Sequence, residues 1–326
     1  MRFISRRTLI RQSGSAALLA AASTGTHAQG TDWPVKPVRI VVNYGPGGGS
    51  DNATRPFAER LSRSLGQQVV IENKGGASGA IGLEFVAKAP PDGYTFLATP
   101  SLTMMIVPHL RKISTDPLKD VVPVTSFVDG TLLVTLHPSI PANSIQELVA
   151  YAKQNPGKLS WGTPGVGTYG HLMCETFKKE AGVDILHVPY RGTGEALADF
   201  LAGVVQIHAD PVTLPHVASG KAKLLAVLGR QRRPDYPDVP MLKEIYPAID
   251  FVVWFGLFAP PGTPPAIIAK FAGEMAKTGR DPELRDLLFA LALTPNVRNA
   301  DETATLLRTE YESYGRLIKQ FNIRAE

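Results

Sequence analysis

Three glycine-rich segments hold the residues best suited to chemistry: Gly45-Pro46-Gly47-Gly48-Gly49-Ser50-Asp51, Lys74-Gly75-Gly76-Ala77-Ser78-Gly79 and Gly162-Thr163-Pro164-Gly165-Val166-Gly167-Thr168. Each follows a run of strand-forming residues and precedes a helical pattern. In open parallel sheets such loops gather at the carboxyl ends of the strands, where ligands bind. Glycine lets the backbone approach a ligand, and the free N–H groups at a helix start favour an anion. A single loop of this kind is explained by turn geometry alone. Three, on both halves of the chain, argue for an anion held between two parts of the protein. Asp51 reads as a helix N-cap, because a second carboxylate would repel an anionic ligand unless that ligand also carried an amino group. His171 opens a helix just after the third loop, where its imidazole can face a ligand or cap the helix, and both roles stay open.

Other constellations point away from catalysis. Gly165-Val166-Gly167-Thr168-Tyr169-Gly170 has the formal G-x-G-x-x-G spacing, but a dinucleotide site also wants an acid at the end of the next strand. Pro189-Tyr190-Arg191 stands there instead, and its arginine would suit only a 2′-phosphate. There is no G-x-S-x-G elbow and no P-loop lysine followed by Ser or Thr. His109, His137, His171, His187, His208 and His216 fall in no H-E-x-x-H or Cys/His pattern. His208 and Asp210 flank Ala209 at a strand end, which reads as structure rather than as a metal pair. Trp161 and Trp254 read as core residues. No metal and no enzymatic activity are expected.

The elements that must position these loops alternate. Strand-like runs Val38–Val42, Val69–Ile71, Tyr94–Ala98, Leu132–Leu136, Leu159–Trp161, Ile185–Val188, Val205–Ala209, Leu224–Leu228 and Phe251–Phe258 are separated by helical periodicity. That alternation predicts an α/β architecture with parallel sheets. Helices are predicted over Ile145–Gln154 and from about His171 to Ala181. Arg230 to Pro247, rich in proline and charge, reads as a long loop. Leu307, Tyr311, Tyr314, Ile318 and Phe321 repeat at 4-3-4-3 spacing, one face of a long C-terminal helix.

The N-terminus reads as a cleaved export signal over residues 1–28. Arg2, Arg6, Arg7 and Arg11 precede the apolar stretch Ala16 to Ala22, and Thr26-His27-Ala28 is a small-x-small cleavage site. The apolar stretch is too short to cross a bilayer as a helix, which takes about 20 residues. Ser5-Arg6-Arg7-Thr8-Leu9-Ile10 fits the twin-arginine route and an ordinary Sec signal equally well. The whole chain carries +5, and residues 1–28 hold four of its arginines and no acid, leaving +1 on the remainder. A near-neutral mature chain has no electrostatic footprint for nucleic acid or an anionic membrane. An exported chain also has no ready supply of nicotinamide cofactor, so no cofactor is expected. The single cysteine, Cys174, cannot form an internal disulfide, and reads as a buried thiol.

At these residues the chain resembles the tripartite tricarboxylate transporter receptors, the Bug-type periplasmic binding proteins. The similarity covers essentially all of the mature chain. It is carried by Trp33-Pro34 with Pro37–Val42, the first two glycine loops, Pro91-Asp92-Gly93-Tyr94-Thr95, and Trp161–Thr168 with His171-Leu172. His187-Val188-Pro189-Tyr190-Arg191-Gly192, Pro237-Asp238-Val239-Pro240 and Trp254–Pro260 complete it. Two positions depart from the family's pattern: Asn43 stands before Tyr44 where proline is frequent, and Gly75 where proline is common. The resemblance implies a type II periplasmic binding fold, two α/β lobes joined by two crossing strands. Lobe 1 is expected over residues 31–126 plus 253–326 and lobe 2 over 127–252, with hinge strands near Ser126–Leu136 and Phe251–Phe258. It implies a carboxylate held between the lobes by backbone groups and ordered water, and handed to the membrane permease subunits of a tripartite transporter. The ligand class is a dicarboxylate, tricarboxylate, amino acid or aromatic acid. An enzyme or a chemosensory ligand receptor that retains the fold is the alternative. Expected ligand contacts are Tyr44, Gly47, Gly48, Gly49, Ser50, Ala77, Ser78, Gly79, Thr99 and Ser101 from lobe 1. From lobe 2 they are Thr163, Gly165, Val166, Gly167, Thr168, His171, Tyr190, Arg191 and Asp210.

Overall fold

Eleven strands form two sheets in a computed structural model that describes residues 33–324. The export signal expected over residues 1–28 lies outside the described residues. The strands are β1 (Val38–Val42), β2 (Val69–Asn73), β3 (Thr95–Pro100), β4 (Val122–Gly130), β5 (Leu132–Leu136), β6 (Ser160–Thr163), β7 (Leu186–Pro189), β8 (Ile207–Ala209), β9 (Lys223–Leu228), β10 (Val253–Ala259) and β11 (Leu293–Pro295). The first sheet runs β11-β4-β10-β3-β1-β2 and the second β7-β6-β8-β5-β9. The near-continuous apolar run of β1 is buried on both faces, as parallel central strands are, and β2 and β3 flank it in parallel.

Neither sheet is wholly parallel, contrary to the sequence expectation. β10 pairs antiparallel with both β3 and β4, and β5 pairs antiparallel with β8 and β9. The cause is the chain's path. It leaves the first sheet through β4, enters the second one residue later at β5, and returns from β9 through β10. A strand going out and a strand coming back can pair only antiparallel, so β4 and β10 lie side by side. Asp129, at the end of β4, pins this crossing. Its carboxylate accepts from Arg298 at 3.0 and 3.2 Å and from Asn296 at 2.6 Å, and pairs with Arg230, which follows β9.

Three further expectations are refined. Arg230 to Pro247 is not all loop: Leu242–Ile245 forms a helical turn because Leu242 drops into the core. The C-terminal part beyond Gly262, whose sequence reads as helical, holds the helices Pro265–Thr278 and Pro282–Phe289 before the last one. The C-terminal helix runs Ala300–Gln320 behind a capping box, Asn299 and Glu302 each bonding the other's backbone N–H. Leu307, Tyr314 and Ile318 of its apolar face are buried, while Tyr311 and Phe321 are covered only in part.

One apolar cluster runs through both sheets, joining Leu97, Met104 and Trp254 to Trp161, Tyr169 and Leu172. From Pro34 on, the described residues form a single compact unit. Trp161 and Trp254 are both fully buried, as core residues are. Cys174 sits inside the same cluster, where burial pushes its thiol far above the ordinary range and keeps it protonated. Among the described residues no helix is long and apolar enough to cross a membrane.

Candidate functional site

The first loop leads into the helix Gly49–Leu65, whose N-cap is Gly48, so no side chain satisfies its first amides. Asp51 is therefore not the N-cap. It stands within the first turn and reaches backwards, accepting from the Gly47 N–H at 2.9 Å and from Asn73 at 3.0 Å, and pairing with Arg55 at 2.7 Å. Burial alone would raise this carboxyl, but the hydrogen bonds from Arg55, Gly47 and Asn73 prevail and hold it below its usual value. Asp51 is thus an ionised carboxylate in the first turn that takes the Gly47 N–H for itself, its charge offset by Arg55.

The second loop is drawn against the first. The Tyr44 hydroxyl donates to the Ser78 carbonyl at 3.0 Å and lies 3.2 Å from the Thr103 hydroxyl. The Asn43 amide donates to Gly79 O at 3.0 Å and to Thr99 Oγ1 at 2.9 Å, while its own Oδ1 is buried without a partner. Ala77 and Ser78 hold φ of 49° and 55°, a left-handed conformation that side chains adopt only under constraint. Tyr44, Ser78, Gly79 and Thr99 are thus one assembly, with Ala77 at its exposed edge.

The third loop forms a second assembly. Thr168 caps the helix Tyr169–Ala181, accepting from the His171 N–H and donating to Gly165 O at 2.8 Å. Gly167 N–H donates to His171 Nδ1 at 3.1 Å, so the His171 ring turns into the loop. Tyr190 N–H donates to Thr163 O at 2.9 Å, and Gly165 holds φ of 134° beside the Tyr190 carbonyl. Val166 packs against the core, and Arg191 is exposed next to this group. Asp210 is engaged elsewhere. It accepts from Val212 N–H at 3.0 Å and from the Thr193 hydroxyl at 3.3 Å, and burial raises its carboxyl.

Three contacts tie the third loop and its helix to the rest of the site. Ser101, which opens the short helix Ser101–Met105 directly after β3, lies 2.6 Å from the hydroxyl of Tyr169, and Ser101 Oγ also accepts from Trp254 N–H at 3.1 Å. The Tyr169 ring meets Tyr314 of the C-terminal helix edge-on, with centroids 5.7 Å apart. At Gly167 an added Cβ would lie 1.9 Å from Leu110 Cδ1, so the third loop rests on the helical turn Val107–Leu110. Tyr169 is the residue that sequence reasoning missed. Its signal was its position at the start of a helix directly behind a glycine loop.

Two other groupings stand out among the described residues. A surface cavity of about 310 Å³ is lined by Arg111, Lys112, Asp116 and Tyr311 among others, and contains none of the expected contacts. His171, Glu175 and His187 bring ligand-type atoms within 4.8 Å of one another. Glu175, however, is held by Lys178 at 2.9 and 3.1 Å, and His171 Nδ1 is taken by an amide.

Comparison with known proteins follows the same lines. A model of the tripartite tricarboxylate transporter family receptor matches residues 53–323. The "UPF0065 protein in gbd 5'region" of Cupriavidus necator is 36% identical over 303 residues, 92% of each chain. The solved structure of Rhodopseudomonas palustris Rpa4515 with adipate superposes with a TM-score of 0.81 at 31% identity, covering 90% of this chain and 99% of that one. MatC from the same organism, with bound malate, gives 0.75 at 28% identity, covering 88% and 100%.

Proposed function

This chain belongs to the tripartite tricarboxylate transporter receptor family, and from that premise we propose that it captures a small organic carboxylate between its two sheets and delivers it to the membrane subunits of a tripartite transporter. The fold is the type II periplasmic binding fold, and the family is one of solute receptors rather than enzymes. The observation that carries the carboxylate reading is the helix Gly49–Leu65, which starts behind Gly48 with no side-chain cap while its nearest acid, Asp51, is paired with Arg55. Such a start offers amides and a positive dipole end to an anion, and Arg55 offsets the charge of Asp51 beside it.

The relatives solved with adipate and with malate support a dicarboxylate as the first class to try. In this reading loops one and two and Ser101 hold one side of the ligand, and Thr163, Gly165 to Thr168 and Tyr190 hold the other. Residues 31–126 with 253–326 then act as one lobe and 127–252 as the second. Residues 1–28 act as the export signal, by the Sec or the twin-arginine route, leaving a periplasmic chain that starts near Gln29.

A thermal-shift screen with adipate, malate, citrate, aspartate and benzoate, followed by calorimetry, tests the reading. A bound acid at a hundred times its Kd stabilises the fold by about 2.7 kcal/mol. Stabilisation by uncharged solutes and by none of the acids would sink it.

A further inference from the structure

Behind the third loop, two imidazoles lie face to face. The rings of His171 and His187 stack with centroids 3.9 Å apart and planes within 4°. His171 belongs to the helix Tyr169–Ala181 and is 8% exposed, and His187 comes from β7. Each touches the loop's framework: His171 Nδ1 accepts from Gly167 N–H at 3.1 Å, and His187 Nε2 lies 2.7 Å from Thr163 Oγ1.

Proton positions follow from the donors. A backbone N–H can only donate, so His171 Nδ1 carries no proton and a neutral ring bears its hydrogen on Nε2. Protonating His171 places a hydrogen on Nδ1, opposite the Gly167 N–H, and that contact is lost. Charging both rings at 3.9 Å sets two cations against each other.

We propose that His171 is a positioning residue whose neutral imidazole holds the third loop in its binding shape, so that the receptor releases its carboxylate on acidification. This rests on the carboxylate reading above and adds regulation to the same site. Gly167 is the loop's tightest point, pressed on Leu110 at a φ of 76°, so a shift of its amide moves Gly165 to Thr168 as a group. The charged groups around the pair are few. Glu175 and Lys178 share the helix with His171, and His187 faces it from β7. Burial lowers His171 below its ordinary value, with Glu175 opposing and Lys178 reinforcing, and burial, His171 and Lys178 push His187 down to about 3. His171 is therefore the first of the two to take a proton. For a base lowered in the fold, the brace is complete above pH 6.5 and is lost as pH falls through the folded value.

The test uses adipate as probe and two readouts. Calorimetry from pH 8 to pH 5 compares the wild-type chain with His171→Asn, whose amide oxygen can accept from Gly167 but takes up no proton. Titration of adipate itself affects both proteins alike. The wild type is expected to lose affinity more steeply, by up to about tenfold per pH unit below the His171 value. In the ligand-free wild type, the Gly167 amide resonance is expected to move with the same midpoint as the His171 ring. Parallel affinity profiles, or a Gly167 amide that stays still while His171 titrates, would overturn the proposal. If none of the five acids binds at any pH, the carboxylate reading fails and the amide titration alone decides the brace.

Discussion

Gly167 has no room for a side chain, and Gly48 has little room but no backbone strain. At Gly167 both the positive φ and the Leu110 contact oppose a Cβ, whereas Gly48 holds an ordinary extended conformation with its Cβ position 3.3 Å from Gly45 O. Gly167→Ala is therefore expected to cost about 2–3 kcal/mol of stability in urea unfolding, combining left-handed strain with displaced packing. Gly48→Val should cost under about 1 kcal/mol yet weaken adipate binding at least tenfold, because it crowds the uncapped amides of the helix start. Equal stability losses in the two variants would contradict the assignment. The glycine loops were legible from residue type, since few other residues serve both a tight turn and a close approach. Their partners were not. Tyr44 meets Ser78 across 34 residues and Ser101 meets Tyr169 across 68, and no periodicity encodes which loop lies against which.

At the scale of elements, hydrophobic patterning located most strands within a residue or two, because buried strands and amphipathic helices differ in period. It failed on orientation. Parallel β1 and antiparallel β10 are both apolar runs, and only the chain's path distinguishes them. Asp51 failed for a related reason: an acid in a helix's first turn can reach back to a loop amide instead of capping the helix. The C-terminal helix carries a charge that patterning hid. Glu310 accepts from Trp254 Nε1 at 2.7 Å, and burial raises its carboxyl to about 7, with Asp129 adding to the rise and Arg230 and Arg298 opposing it. An acid raised in the fold stabilises it fully below its unfolded value near 4.5, and that contribution is lost as pH rises through about 7. Glu310→Gln keeps an acceptor for Trp254 and cannot ionise. It is expected to melt with the wild type near pH 4 and to exceed it at pH 8 by about 1–3 kcal/mol. A constant difference between the two proteins across that range would show that Glu310 does not titrate where its burial places it.

The two sheets are held together by a continuous core, the paired crossings β4 and β10, the pairing of Asp129 with Arg230, the seating of Gly167 on Leu110, and the hydrogen bond between Ser101 and Tyr169. The last is the one that loss of a single hydroxyl removes. Tyr169→Phe removes it and leaves the ring against Tyr314, at a cost of about 1 kcal/mol. The ligand-free variant should therefore show a larger radius of gyration in small-angle scattering than the wild type, and adipate should bring the two together. Superposable ligand-free curves would mean that the shared core alone fixes the sheets. The buried Cys174 has a use outside transport. Its thiol is the chain's only one, fully covered and locked in the unreactive protonated form, so a maleimide dye would find no native target in the folded protein. A single cysteine introduced on the exposed rim of either sheet would be labelled alone, turning the receptor into a reagentless optical sensor for its own ligand.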